Sequence, residues 1–204
     1  MTDPFQLLGL PRRPWLEPDD VKAAFLARSA PVHPDKIHSA PEAEKAAAAR
    51  AFAELNAAHL ALAEPKTRLL HLLTLERGAK PADIQNLPAG LAELFTEVAT
   101  RCRETDVFLA EKARVTSPLL QVQWFERAQA RLEELDLLHQ KLNDFHQRLT
   151  GELRALDRRW PAPGPDAGAV PAALLDDVEQ LYRLYGYYNR WHRQLNERKT
   201  GLMI

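Results

Sequence analysis

Apolar residues recur along this chain at intervals of three and four in several long stretches. That period puts them on one face of a helix. Val21, Ala24 and Phe25 mark a helix that runs to about Ala30, with Asp19 or Asp20 placed to cap it. A longer helix is predicted over about Glu42–Ala63, with Ala49, Phe52, Leu55, His59 and Leu62 on one stripe. Pro65 interrupts, and Leu69, Leu70, Leu72 and Leu73 carry a further helix to Gly78. Leu91, Leu94/Phe95, Val98, Cys102, Thr105 and Leu109 then mark a long amphipathic helix. Pro118 opens another, with Ala128, Leu132, Leu135, Leu138, Leu142, Phe145, Leu149, Leu153 and Leu156 in near-unbroken spacing. The last stripe is Leu174, Val178, Leu181, Leu184/Tyr185, Tyr188, Trp191 and Leu195. Three stripes of this length cannot be buried singly, so they predict an antiparallel bundle.

Composition sharpens the helical reading. The 15 prolines avoid residues 42–64, 89–117, 119–160 and 172–204, and proline inside a helix costs about 3 kcal/mol. Val, Ile and Thr together number 20 among 204 residues, which disfavours a sheet. The fold class expected is therefore all-α. Gly151 and Gly186 fall inside predicted helices, at a tolerated cost of about 1 kcal/mol each. Residues 79–88 and 161–171 read as loops rich in proline.

Charge and chemistry exclude several functions. Residues 1–75 carry 9 basic and 9 acidic side chains, and residues 76–204 carry 18 and 19. Neither part has the basic excess that a phosphate backbone attracts, so no nucleic-acid partner is expected. The single Cys102 excludes an internal disulfide and a multi-cysteine metal site. No signal peptide and no membrane-spanning stretch is read, which predicts a cytoplasmic protein. Neither a His-Asp dipeptide, an H-E-x-x-H motif nor a P-loop occurs, so no metal, no cofactor and no catalytic residue is expected. His33 and His38 lack the helical spacing of a zinc pair, and His59 and His71 sit on apolar stripes where packing is the expected role.

One motif stands out: His33-Pro34-Asp35-Lys36, between the first two long helical patterns. Before it come Asp3-Pro4-Phe5-Gln6-Leu7-Leu8-Gly9-Leu10 and then Phe25. After it comes Phe52-x-x-Leu55-Asn56-x-Ala58-His59-x-x-Leu62-x-x-Pro65-x-x-Arg68. Pro34 fixes one backbone dihedral, and Asp35 offers a carboxylate suited to a charge-assisted pair; capping of the next turn by Asp35 is the alternative role. In this order, over about residues 3–73, these pieces resemble a J-domain, the helical hairpin that activates DnaK-type chaperones. The resemblance implies that His33, Pro34, Asp35 and Lys36, with Lys22 and Arg28 on the preceding helix, bind the chaperone and promote its ATP hydrolysis. Leu26, Ala27, Ala30 and Pro31 stand where such helices are usually polar or basic. Fewer charges predict a slower steered encounter.

The helical sequence continues past the usual end of a J-domain, through Arg68-Leu69-Leu70-His71-Leu72-Leu73-Thr74-Leu75-Glu76-Arg77-Gly78. With the three long helices that follow, and Asp177-Val178-x-x-Leu181-x-x-Leu184 in the last, the chain resembles the HscB family of Fe–S assembly co-chaperones. The resemblance implies a J-domain over 1–78, a linker over 79–88 and a three-helix bundle over 89–204 that binds a Fe–S scaffold protein. Leu91, Phe95 and Glu97 are the candidates for that contact, with bundle core as the alternative role of Leu91 and Phe95. Tyr182, Tyr185, Tyr187, Tyr188 and Trp191 exceed one stripe, so some are expected at the surface or at a contact. Two other readings fit the same residues: a J-protein with an unrelated client or a tethering role, and a helical scaffold with a degenerate J-domain.

Overall fold

Asp3 opens the first helix by accepting hydrogen bonds from the Phe5 and Gln6 backbone N–H groups, at 2.9 and 3.3 Å. The computed structural model describes residues 2–39, 41–82, 90–115, 118–162 and 169–203. Among them the order is α1 (Pro4–Leu8), α2 (Pro18–Ser29), α3 (Glu42–Ala63), α4 (Pro65–Arg77), α5 (Ala92–Lys112), α6 (Pro118–Arg158) and α7 (Ala172–Met203). Two short 3₁₀ turns, Ala30–Val32 and Pro34–Lys36, lie between α2 and α3. No strand occurs among the described residues, so the fold is all-α as composition and period predict. Much of the expected linker, including Pro88, and the centre of the 161–171 loop lie outside the described residues.

The start of α2 corrects one expectation. Pro18 takes the first helical position and Glu17 the cap, so Asp19 and Asp20 sit inside the first turn. They still favour the helix there, because carboxylates oppose the positive end of the helix dipole.

The chain divides into two compact units, each built from two stretches of sequence. The first is Met1–Ala82 with Gly151–Arg183; the second is Asp83–Thr150 with Leu184–Ile204. In the first, α1, α2 and α4 all pack against α3. Phe5, Leu8, Leu62, Leu69, Leu72 and Leu73 are fully buried there. Arg68 lies among them with only 2% of its surface exposed. Its guanidinium donates to the Pro14 carbonyl at 2.9 Å and to the Leu62 carbonyl at 2.6 Å, and lies over the Trp15 ring. Leu62 is in the last turn of α3, where carbonyls lack intrahelical partners. One side chain thus closes the end of α3, the 11–17 loop and α4 on each other.

The 151–183 stretch joins this unit through polar contacts as well as buried leucines. Arg13 grips the Asp157 carboxylate with two nitrogens, at 3.0 and 2.8 Å, and the Trp15 backbone N–H adds a third donor at 3.2 Å. The buried Trp160 donates its indole N–H to the Arg12 carbonyl at 3.0 Å. Arg77 pairs with Asp176 at 2.6 Å and also with Glu179. Burial works against a charge on Glu179, yet Arg77 and Arg183 hold its carboxyl below the ordinary range.

The second unit is the bundle. Glu97 pairs with Lys141 at 2.6 Å, and Glu104 with Arg131 at 2.9 Å, so α5 and α6 run antiparallel. Asp136 pairs with Lys199 at 2.5 Å and the His139 ring meets His192, so α7 runs antiparallel to α6 in turn. Val98, Cys102, Phe108, Leu135, Leu138, Leu142, Phe145, Leu149, Trp191 and Leu195 are buried, as the stripes predict. A ladder of rings lies between α6 and α7. His139 meets His192 edge-on at 4.6 Å, and His146 stacks on Tyr188 at 4.5 Å.

This ladder is acid-sensitive. Burial lowers the pKa of His139, reinforced by His192 and Lys199 and opposed by Asp136. Burial lowers that of His146 as well, again reinforced by His192. Below the ordinary imidazole value of 6.5 the unfolded chain takes up protons that the folded rings resist. Stability is therefore fully present above that value and is lost as pH falls toward the lowered folded values. Thermal melting temperatures should drop as pH goes from neutral to mildly acid, and His139→Leu with His146→Leu should flatten that dependence.

Arg68→Leu leaves two buried carbonyls without their donor and should lower stability by about 3 kcal/mol. Chemical denaturation of the full chain at neutral pH measures this.

Candidate functional site

The turn between α2 and α3 is built from its own residues. Pro34 starts a 3₁₀ turn, and Lys36 N–H returns to the His33 carbonyl at 2.9 Å, followed by Ile37 N–H to Pro34 at 3.2 Å. His33, rather than Asp35, caps it: its ring Nδ1 accepts from the Asp35 N–H at 3.3 Å. The same nitrogen lies 3.6 Å from the Asp35 carboxylate. It cannot serve both at once. Unprotonated it accepts from the backbone; protonated it pairs with the carboxylate. His38 donates from Nδ1 to the Asp35 carbonyl at 2.9 Å and holds the turn from the other side.

Aromatic rings anchor the turn to the hairpin. His33 meets Phe52 of α3 edge-on at 5.6 Å. Phe52 also contacts Phe25 of α2 at 6.1 Å, and Phe25 stacks on His59 at 4.7 Å. His59 therefore packs, and His71 is half-buried with its pKa lowered mainly by that burial. No group of three metal-ligating side chains occurs among the described residues.

The structure brings the candidates together unevenly. His33, Pro34, Asp35 and Lys36 form one turn, and the Asp35 side chain is 88% exposed. Lys22 is exposed on α2. Arg28 is exposed too, but its guanidinium lies against Gly9, where an added Cβ would meet it at 2.1 Å. Gly9 ends α1 at φ 65°, a left-handed conformation that glycine adopts without strain. Leu26, on the same helix, is 54% exposed. The outer face of α2 is thus short of charge and partly apolar.

The three client candidates separate further. Leu91 is buried at the cap of α5, and Glu97 is held by Lys141. Phe95 is 47% exposed. Of the aromatic set, Tyr185 and Trp191 are buried, while Tyr182, Tyr187 and Tyr188 are half-buried. The anchoring role of Phe52 and the cap on the turn escaped the sequence reading. The three-residue spacing of His33 to Lys36 was the available signal for a turn closed by its own first residue.

No family model matches the chain. It is 27% identical over 177 residues to a co-chaperone protein HscB homolog of Azoarcus sp. (strain BH72), covering 84% of this chain and 81% of the relative. A stretch of 73 residues, 36% of this chain and 42% of the relative, is 36% identical to an HscB homolog of Chromobacterium violaceum. Among solved structures, chaperone HscB from Vibrio cholerae shares the fold with a TM-score of 0.61 at 17% identity, over 98% of this chain and 99% of that one. No described helix is long and apolar enough to cross a membrane.

Phe52→Ala removes the ring that His33 and Phe25 both meet. It should speed amide hydrogen exchange at residues 35–37 and lower stability by about 2 kcal/mol, less than a fully buried truncation.

Proposed function

We propose that this HscB-like J-domain co-chaperone stimulates ATP hydrolysis by a DnaK-type chaperone through the 33–36 turn and presents a Fe–S scaffold protein to it. The observation that carries the first half is the Asp35 carboxylate, 88% exposed on a proline-fixed turn that His33 and Phe52 hold in place. A carboxylate so placed suits a charge-assisted pair with an arginine of the partner, at little ordering cost. Lys36 and Lys22 supply the nearby cations, and Arg28 joins them if it leaves Gly9. The chain itself transfers no proton or phosphoryl group. It favours the hydrolysing state of the chaperone by binding that state better.

The second half rests on the likeness to HscB co-chaperones along most of the chain. The client contact falls on the bundle around Leu91, Phe95 and Glu97, with Phe95 as the exposed member. Both partners would meet the protein in the cytoplasm.

Single-turnover ATPase assays with the full chain test the first half. Wild type should stimulate a DnaK-type chaperone of the same organism, and His33→Gln or Asp35→Asn should return the rate to its basal value while melting temperatures hold. A charge-assisted pair is worth roughly tenfold or more, so the loss is measurable. Wild type that stimulates no such chaperone would sink this reading. Calorimetric titration of the apo scaffold tests the second half, and Asp35→Asn should leave that binding unchanged.

A further inference from the structure

The far end of the bundle holds a cavity of about 510 Å³. It lies wholly within the second unit, where the end of α5, the first part of α6 and the end of α7 come together. Neither the 33–36 turn nor any of Leu91, Phe95 and Glu97 lines it. Its Lys112 lies roughly 25 Å beyond Phe95 along α5 at helical rise.

Its floor and walls are apolar. Ala128 and Leu202 line it and are buried. Gly201 lets this end of α7 lie close to α5, because an added Cβ would meet Leu109 at 3.0 Å. Trp124 is a fixed wall, with the Phe108 ring 4.8 Å from its own and the Arg127 guanidinium 4.2 Å from its ring centre. Phe125 and Met203 also line the cavity, at 71% and 69% exposure. They are the two most exposed large apolar side chains among the described residues. Adjoining apolar surface left this open marks a contact site, and an unbranched methionine adapts to the shape of an occupant.

The polar groups are few and carry charge of one sign. Among the described residues no carboxylate lines the cavity, and the half-buried Lys112 forms no ion pair. Gln129 adds a neutral amide. A single cation is too little for a nucleic-acid backbone, which binds through many phosphate contacts. A cavity bounded by three helices suits a small molecule, where a partner helix would need a groove running along a pair. The volume falls in the range of sites that bury a small organic ligand. We infer that this cavity binds an amphipathic carboxylate, its hydrocarbon part among Trp124, Phe125, Leu132 and Leu202 and its carboxylate on the Lys112 ammonium. Burial of the hydrocarbon supplies affinity, and the charge-assisted pair fixes the head group and selects its sign.

Calorimetric titration of the full-length protein tests this with three probes kept below micelle-forming concentration. Decanoate is the ligand, decylammonium is the same chain with opposite charge, and acetate is the head group alone. Decanoate should bind saturably, one molecule per chain, and shift the amide resonances of residues 124–132 and 201–203. Decylammonium should bind more weakly and acetate not at all. Lys112→Glu should weaken decanoate by roughly tenfold and reverse the preference between the two chains. Phe125→Ala should weaken both chains, with melting temperatures of the free variants as the check on folding. The inference is overturned if decanoate does not saturate or if decylammonium binds the wild type as tightly. It is also overturned if the resonance shifts fall elsewhere, or if Lys112→Glu leaves both affinities unchanged. Sedimentation of the free protein supplies the last check: a dimer that Phe125→Ala dissociates would assign this surface to a second copy and overturn the inference.

Discussion

Arg68 is the constraint on which the first unit depends. A guanidinium cannot shed its charge, so burying it is costly unless donors meet acceptors. Here the acceptors are carbonyls that the fold itself leaves over: Leu62 at the end of α3 and Pro14 in the loop after α1. The same side chain therefore relieves its own desolvation and completes a helix terminus. The Pro65-x-x-Arg68 spacing follows from this. Pro65 starts α4 without needing an N–H partner, and three residues later the side chain returns to the end of α3.

The opposite end of the hairpin is organised in a different way. There the turn and the facing sides of α2 and α3 are joined by rings rather than by a buried charge, with His33, Phe52, Phe25 and His59 in successive contact. Rings resist displacement without saturating the polar groups of the turn. Asp35 is left with its carboxylate in solvent while its backbone is fully used, its N–H by His33 and its carbonyl by His38. A fixed backbone with a free side chain is what a docking loop requires, because little remains to be ordered on contact.

The helices and the turn were legible in the sequence because both are local. A three-to-four period and a proline map need only neighbouring residues, and the His33-to-Lys36 run closes on itself. Contacts between distant segments were not legible. Nothing in the spacing of Arg13 and Asp157 links them, although they make two side-chain hydrogen bonds. Helical phase was ambiguous at Leu94/Phe95, where two adjacent apolar residues compete for one stripe, and the structure turns Phe95 outward. Leu91 shows the related difficulty at a terminus: it precedes the helix proper, so its burial is set by the entering chain and not by the period.

Each compact unit takes two stretches of chain, and α6 and α7 contribute to both. The consequence reaches beyond folding to inheritance. A J-domain that ends in its own sequence can be shuffled between genes as a cassette. The first unit here draws Trp160, Val178 and Leu181 from far downstream, so it has no single boundary in the sequence. A recombination point anywhere between the two stretches would part residues that are buried in the same unit. Selection on the 33–36 turn is thereby coupled to codons far downstream, and the two units evolve as one transmitted piece.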